Sequence, residues 1–244
     1  MPKIFALVPA AGQGTRMGDA VPKQYLPLAG RPMLFHSLQA LAAVGRISHV
    51  IAILSPLDRH WGAHDRSALP AKIEALFAGG DTRAGSVANA LAFLEGRTAA
   101  DDWILVHDAA RPCIATHLVE RFLDEVGEDP VGGLLAVPLA DTLKRAQESM
   151  RVGETVSREG LWCAQTPQVF RYAILRRALA RKPDATDESQ AVEFLGQMPR
   201  IVRGESANLK VTFAEDLLLA ETILARRAVH HHRDDGNPAT GGRQ

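Results

Sequence analysis

At 244 residues, 46% hydrophobic and 23% charged, the chain has the make-up of a globular protein of one α/β domain or two small ones, long enough to bury a substantial core. Its 28 Lys and Arg balance 28 Asp and Glu, which argues against nucleic acid as a partner, since that affinity rests on neutralising phosphates. The absence of a membrane-length apolar run, of a signal-cleavage pattern and of a disulfide framework (two cysteines only) leads to the expectation of a cytoplasmic protein with no membrane partner.

The first strand is Lys3-Ile4-Phe5-Ala6-Leu7-Val8, a continuous apolar run of the kind buried on both faces of a parallel sheet. It feeds the loop Pro9-Ala10-Ala11-Gly12-Gln13-Gly14-Thr15-Arg16-Met17-Gly18, followed by Pro22-Lys23-Gln24-Tyr25-Leu26-Pro27-Leu28. Small residues let the backbone turn sharply and bring its N–H groups close to an anion. Arg16 and Lys23 add fixed positive charge where a polyphosphate would lie. A dinucleotide fingerprint is excluded because Met17 stands where its third glycine belongs, and a Walker loop because no Gly-Lys-Ser/Thr run closes it. The loop therefore reads as a nucleotide-triphosphate site, the plainer alternative being a tight strand-to-helix turn with no ligand.

Pro32 opens a helix whose stripe is Met33, Leu34, Leu38, Leu41 and Ala42. Residues 49–54 form the next strand, 57–71 a loop with some helix, and 73–77 a short strand running into Gly79-Gly80-Asp81. A helix from about Ser86 presents Val87, Ala90, Leu91 and Leu94 on one face. Trp103-Ile104-Leu105-Val106 is a buried strand, and Thr116 is expected to cap a helix carrying Leu118, Val119, Phe122 and Val126. Residues 134–138 give a further strand. This alternation implies an α/β fold with a mostly parallel sheet between helices, in which ligands collect outside the carboxyl ends of the strands. The polar loops 10–18, 79–86 and 107–112 are therefore expected to converge.

The rhythm breaks at residues 139–160, polar and strand-like in places, which read as an excursion from the sheet in the form of a hairpin arm. Helices resume at 172–182 and 186–195, with Thr186 as a cap and Asp187 and Glu188 favouring the positive helix end. Thr212 and Glu215 form a capping-box pattern for a last helix with Leu218, Leu219 and Ile223 on its core side. One domain is expected over residues 1–229, followed by a disordered polar tail at 230–244.

Asp108, within Val106-His107-Asp108-Ala109-Ala110-Arg111-Pro112, emerges from a strand end beside the phosphate loop, well placed to hold Mg²⁺ or another divalent cation. The alternative is a local Asp108–Arg111 pair closing the turn. His107 reads as structural rather than as a general base. Gly80, Asp81 and Ser86 offer backbone, acid and hydroxyl groups suited to the edge of a nucleobase, with Ser86 equally able to cap the next helix. Arg158, Thr166, Thr186 and Lys210 have bland alternatives, as a solvated Arg, a turn hydroxyl, a helix cap and a surface Lys, and spacing does not rank them. No zinc spacing and no nucleophile-elbow triad is present.

An ordered set of motifs is more specific than any one loop. It comprises Pro9-Ala10-Ala11-Gly12-x-Gly14-x-Arg16-Met17, Pro22-Lys23-Gln24-Tyr25, Gly79-Gly80 through Ser86-Val87, and the segment from Val106 to Pro112. Asp141-Thr142-Leu143-Lys144, Ala164-Gln165-Thr166-Pro167-Gln168, Thr186-Asp187-Glu188 and Asn208-Leu209-Lys210-Val211-Thr212 complete it. From Ile4 to about Arg226 the chain resembles the 2-C-methyl-D-erythritol 4-phosphate cytidylyltransferases of the non-mevalonate isoprenoid pathway. The resemblance implies a Rossmann-like sheet of the nucleotide-diphospho-sugar transferase type with a protruding β-arm. It also implies Mg²⁺ and transfer of CMP from CTP to methylerythritol phosphate, releasing pyrophosphate.

Carried over by position, Arg16, Lys23, Asp108 and Lys210 would be catalytic, and Asp108 would hold the metal. Ala10, Ala11 and Gly12 would contact the triphosphate, and Gly80, Asp81, Ser86 and Ala109 the rest of the nucleotide. Arg111, Thr142, Arg158, Thr166, Thr186 and Lys210 would surround methylerythritol phosphate. Residues 139–160 would pair two subunits into a homodimer, with Arg158 reaching the neighbour's site. Two rival readings stand beside this one. A cytidylyltransferase for ribitol 5-phosphate or another polyol or sugar phosphate would keep the nucleotide half. A nucleotide-binding regulator without turnover would have no need of both Arg16 and Lys23 at the reacting phosphorus.

Overall fold

The computed structural model describes residues 2–12 and 21–234, the stretch 229–234 as helix backbone only. The first half comprises β1 (Ile4–Pro9), a small hairpin of β2 (Pro27–Leu28) and β3 (Arg31–Pro32), α1 (Met33–Ala43), β4 (His49–Ile53) and β5 (Ile73–Leu76). It continues through α2 (Arg83–Phe93), β6 (Trp103–Val106), α3 (Thr116–Val126) and β7 (Gly132–Pro138). The second half adds β8 (Leu143–Ala146), β9 (Val152–Val156), β10 (Trp162–Arg171), α4 (Tyr172–Arg181), α5 (Glu188–Glu193), β11 (Arg200–Arg203) and α6 (Ala214–Asp234).

Seven strands form one sheet in the order β11-β7-β10-β6-β1-β4-β5. The apolar runs of β1, β4 and β6 occupy its centre, as expected of strands buried on both faces. Alternation along each strand then divides the core. Ile4, Ala6, Val8 and Leu105 face α1 and α3, packing with Leu38, Leu41, Leu118 and Phe122. Phe5, Leu7, Ile104 and Val106 face α2, α4 and α5, packing with Val87, Leu91, Leu175 and Val192. A smaller cluster of Leu28, Met33, Cys113, Val211 and Ala220 seats α6. Among the described residues no helix is long and apolar enough to cross a membrane.

The strand-and-helix alternation, the mostly parallel sheet and the helices on both faces are present as expected, and β8 and β9 form the expected antiparallel hairpin. The strands β10 and β11 were not legible from local pattern. The antiparallel strand β10 is inserted between β6 and β7, with Gln168 opposite Val106 and Arg171 opposite Trp103. Its earlier residues therefore run past the carboxyl end of β6.

Helix ends differ from the expected caps. Thr82 rather than Ser86 caps α2, its side chain accepting the Gly85 N–H, because the helix begins at Arg83. Ala115, not Thr116, is the N-cap of α3. Asp187, not Thr186, caps α5 by accepting the Gln190 N–H. Before α6, the Asp216 carboxylate accepts the N–H groups of Thr212 and Phe213, in place of a Thr212–Glu215 box. Leu218 and Leu219 are exposed, and α6 docks instead through Ala220 with Leu217, Ile223 and Leu224. The surface it meets, rather than its own periodicity, sets that phase. The helix also continues through Asp234, past the boundary at 230 expected for a disordered tail; residues 235–244 lie outside the described residues.

Candidate active site

Parallel β1, β4 and β6 end along one sheet edge, and there residues 10–12, 80–83, 86 and 108–110 wall a cavity of about 260 Å³ with Lys23, Gln24, Met33 and Lys210. The expected convergence is therefore realised for the described parts of all three loops. Its floor is fixed from several directions. The Ala10 N–H donates to the Ile53 carbonyl (2.8 Å), and the Ala10 carbonyl accepts from Gln24 Nε2 (2.7 Å). A Cβ on Gly79 would fall 2.2 Å from that of Ala11, so only glycine lets the second loop lie against the first. Lys23 Nζ donates to the Val211 carbonyl, tying the first loop to the segment before α6. The Ser86 hydroxyl accepts the Gly80 N–H and donates to the Thr82 carbonyl, both at 3.0 Å, and so shapes the turn bearing Gly80 and Asp81.

Asp108 stands on the cavity wall with only 10% of its side chain exposed. It does not pair with Arg111. Its Oδ1 accepts from Arg83 Nε and its Oδ2 from Lys210 Nζ, each at 2.8 Å. Burial disfavours the ionised carboxylate, but Arg83 and Lys210 outweigh it and hold the carboxyl well below the usual range. Arg83 also grips buried Glu188 with both terminal nitrogens, Nη1 at 2.7 Å and Nη2 at 3.0 Å. Neither Arg83 nor Glu188 was singled out from the sequence as a site residue. The signal available was position: Arg83 lies inside the second loop motif and Glu188 inside Thr186-Asp187-Glu188, where its charge was read only as favouring a helix end.

Behind Asp108 lies a buried polar layer. His107 Nε2 lies 3.1 Å from the Arg111 carbonyl, which can only accept, so Nε2 carries the proton and Nδ1 is an acceptor. The Thr166 hydroxyl then donates to His107 Nδ1 (3.1 Å) and accepts the Asp108 N–H (3.0 Å). Desolvation pushes the imidazole down to about 4, so it is neutral at pH 7, in keeping with a structural His107. Arg111 donates to the carbonyls of Asn208 (2.7 Å) and Ala164 (3.3 Å). Its Nε and Asn208 Oδ1 have no partner among the described residues.

Those expected residues that the structure describes fall into three groups. Ala10, Ala11, Gly12, Lys23, Gly80, Asp81, Ser86, Asp108, Ala109 and Lys210 line the cavity together. Arg111 and Thr166 lie buried behind it, Thr166 with its hydroxyl committed on both sides rather than presented to a ligand. Thr142, Arg158 and Thr186 are exposed and do not line it. Arg16 lies outside the described residues.

The family model described as 2-C-methyl-D-erythritol 4-phosphate cytidylyltransferase (IspD) matches residues 4–226. The protein of that name from Azoarcus sp. (strain BH72) is 53% identical over 226 residues, covering 93% of this chain and 96% of its own. The one from Dechloromonas aromatica (strain RCB) is 52% identical over 227 residues, covering 93% of this chain and 100% of its own. A solved 4-diphosphocytidyl-2C-methyl-D-erythritol synthase superposes with a TM-score of 0.81 at 38% identity, covering 92% of this chain and 100% of that one. The Francisella tularensis 2-C-methyl-D-erythritol 4-phosphate cytidylyltransferase gives 0.77 at 30% identity, covering 91% and 99%.

Proposed function

The chain belongs to the 2-C-methyl-D-erythritol 4-phosphate cytidylyltransferase family, and from that premise we infer how its residues carry the reaction. The enzyme transfers CMP from CTP to 2-C-methyl-D-erythritol 4-phosphate, giving 4-diphosphocytidyl-2-C-methyl-D-erythritol and pyrophosphate. The observation that carries the assignment of roles is the meeting of three strand-end loops on one small cavity, with Lys23, Asp108 and Lys210 on its walls.

The substrate phosphate attacks the α-phosphorus of CTP in line. A new P–O bond forms as the bond to the bridging oxygen breaks, and pyrophosphate leaves with the electron pair. A phosphate monoester is largely ionised at neutral pH, so no proton need be taken from it and no strong general base is required. The protein's work is to position two anions and to stabilise the charge that gathers at the crowded phosphorus. Backbone at Ala10, Ala11 and Gly12 would cradle the triphosphate, with Arg16 and Lys23 neutralising it. Gly80, Asp81, Ser86 and Ala109 would hold cytosine and ribose. Lys210, half-exposed on Asp108, is free to swing toward the incoming phosphate, and the unpartnered Nε of Arg111 supports a place for that residue beside the same anion.

Among the described residues no cluster of three His, Cys, Asp or Glu side chains is arranged to hold a metal. A single carboxylate beside a polyphosphate nevertheless suits Mg²⁺, which takes one or two carboxylates and fills its octahedron with phosphate and water. Asp108 would hold that ion, which when bound supplies charge neutralisation to the leaving pyrophosphate.

Residues 139–160 are the proposed dimer contact. In support, β8 and β9 form a two-stranded sheet of their own, with Met150 85% and Val152 65% exposed, and such a hairpin is marginal in water unless covered. Thr142 and Arg158 on this arm, and Thr186, would complete a methylerythritol phosphate site shared across the pair. A cytoplasmic location is proposed as well, supported by two cysteines that are both free.

The test is pyrophosphate release with CTP and Mg²⁺, comparing methylerythritol phosphate with ribitol 5-phosphate. Turnover confined to the first is expected, and a preference for ribitol 5-phosphate would overturn the substrate assignment while leaving the nucleotide half intact.

A further inference from the structure

Four charges run in series from the core to the cavity: Glu188, Arg83, Asp108 and Lys210. Exposure of their side chains is 1%, 26%, 10% and 48%. Glu188 does not line the cavity, so its burial does not serve a ligand directly. A buried ion pair is also poor evidence of stabilisation, because apolar residues of similar volume often do as well. The geometry of the fork gives the pair a different use. All three guanidinium nitrogens are spoken for, Nη1 and Nη2 on Glu188 and Nε on Oδ1 of Asp108. The two-point clamp on Glu188 fixes the guanidinium plane and with it the direction of Nε. It also balances the charge of Arg83, so that the charge of Asp108 is left for groups on the cavity side.

We infer that Glu188 is a positioning residue for CMP transfer, acting through Arg83 to commit Oδ1 of Asp108 and leave Oδ2 as the oxygen that exchanges partners. The inference rests on reading Asp108 and Lys210 as reacting-site residues. Oδ1 is held from the core side by a cation that is itself anchored. Oδ2 is held only by a half-exposed lysine, a point charge on a flexible stem. When a polyphosphate enters, Lys210 can pass to it and Oδ2 becomes available without any movement of Arg83. Without Glu188, Arg83 is free to turn its terminal nitrogens onto Asp108 or onto the polyphosphate, and its full charge competes with any cation for the carboxylate.

Glu188→Gln keeps the side-chain length and removes the clamp. In the full-length enzyme kcat should fall by about tenfold or more while KM for CTP stays within about threefold. Mn²⁺ binding to the enzyme–CTP complex, followed by water-proton relaxation, should weaken by about tenfold, while CTP binding without metal is kept or tightened. A purely structural role would not separate those readings. Asp108→Asn serves as the control. If Asp108→Asn is inactive while Glu188→Gln retains wild-type kcat and Mn²⁺ affinity, the positioning role is overturned. If Asp108→Asn is itself active, the underlying assignment of Asp108 fails instead. A loss in Glu188→Gln that vanishes after correction for folded fraction assigns Glu188 to stability alone and overturns the inference. Should Glu188→Gln not fold, Arg83→Lys keeps the charge but cannot span both carboxylates. It should show the same loss, and wild-type kcat in that variant would overturn the inference.

Discussion

Replacing Thr166 with Val separates two roles for one hydroxyl. In the folded chain that hydroxyl accepts the Asp108 N–H at 3.0 Å and donates to His107 Nδ1 at 3.1 Å, and Thr166 is only 4% exposed. Valine has nearly the same shape, so the packing survives while a buried amide and a buried imidazole nitrogen lose their partner. Leaving such a group unsatisfied costs about 1–3 kcal/mol each, and with some relaxation about 3 kcal/mol in total is expected. For a chain of this size each 1 kcal/mol lowers Tm by about 2–4 °C, so a drop of roughly 6–12 °C should follow. Thr166→Ser keeps the hydroxyl and loses one methyl, worth about 0.8 kcal/mol. Thermal unfolding and steady-state kinetics on both variants provide the assay. In Thr166→Val, kcat should fall more than KM for methylerythritol phosphate, since the peptide carrying Asp108 is released while the substrate contacts remain. If Thr166→Val melts like Thr166→Ser and raises only that KM, the hydroxyl is a substrate contact and the reasoning is refuted.

Other consequences are equally open to measurement. His107 is pushed from its ordinary 6.5 down to about 4 by burial, so the unfolded chain binds the extra proton between those values. The stability due to neutral His107 is then full above about pH 6.5 and falls by about 2 kcal/mol by pH 5. In urea titrations His107→Gln should lose that slope, and an unchanged slope would assign it to other groups. Gly79→Ala drives a methyl into Ala11 and the Leu54 carbonyl, at 2.2 and 2.9 Å, and should weaken CTP binding by calorimetry, with overpacking costing about 1–3 kcal/mol. Lys23→Ala should depress kcat far more than CTP affinity, and unchanged turnover would remove Lys23 from the chemistry. Mixed dimers of Arg16→Ala and Arg158→Ala subunits should regain activity, and none in verified heterodimers would deny Arg158 a place in its neighbour's site.

Local pattern was a good guide where one element's own residues decide its structure. The apolar runs of β1, β4 and β6 need burial on both faces, and strands alternating with amphipathic helices can supply it only as a parallel sheet between two helical layers. Parallel strands end along one edge, so the meeting of the loops after them followed from connectivity. That is why Ala10, Gly80, Asp108 and Lys23, which line one cavity, were legible as one site in the sequence.

Tertiary structure decided what depends on partners far away in the chain. Inserting β10 antiparallel beside β6 carries Thr166 across 58 positions to the Asp108 amide and places its hydroxyl in the buried layer behind the cavity. The Arg83–Glu188 pair spans 105 positions, and a charged residue buried in such a pair reads in sequence like one in water. Capping failed for a related reason: Ser86, Thr116 and Thr186 all carry the right chemistry, but each helix begins where its packing sets the first turn. By itself the sequence determined the sheet, its working edge and the loops gathered there, because periodicity and connectivity act over short distances. Which hydroxyl, which carboxylate and which arginine support Asp108 was left to the packing of strands and helices that meet only in the folded chain.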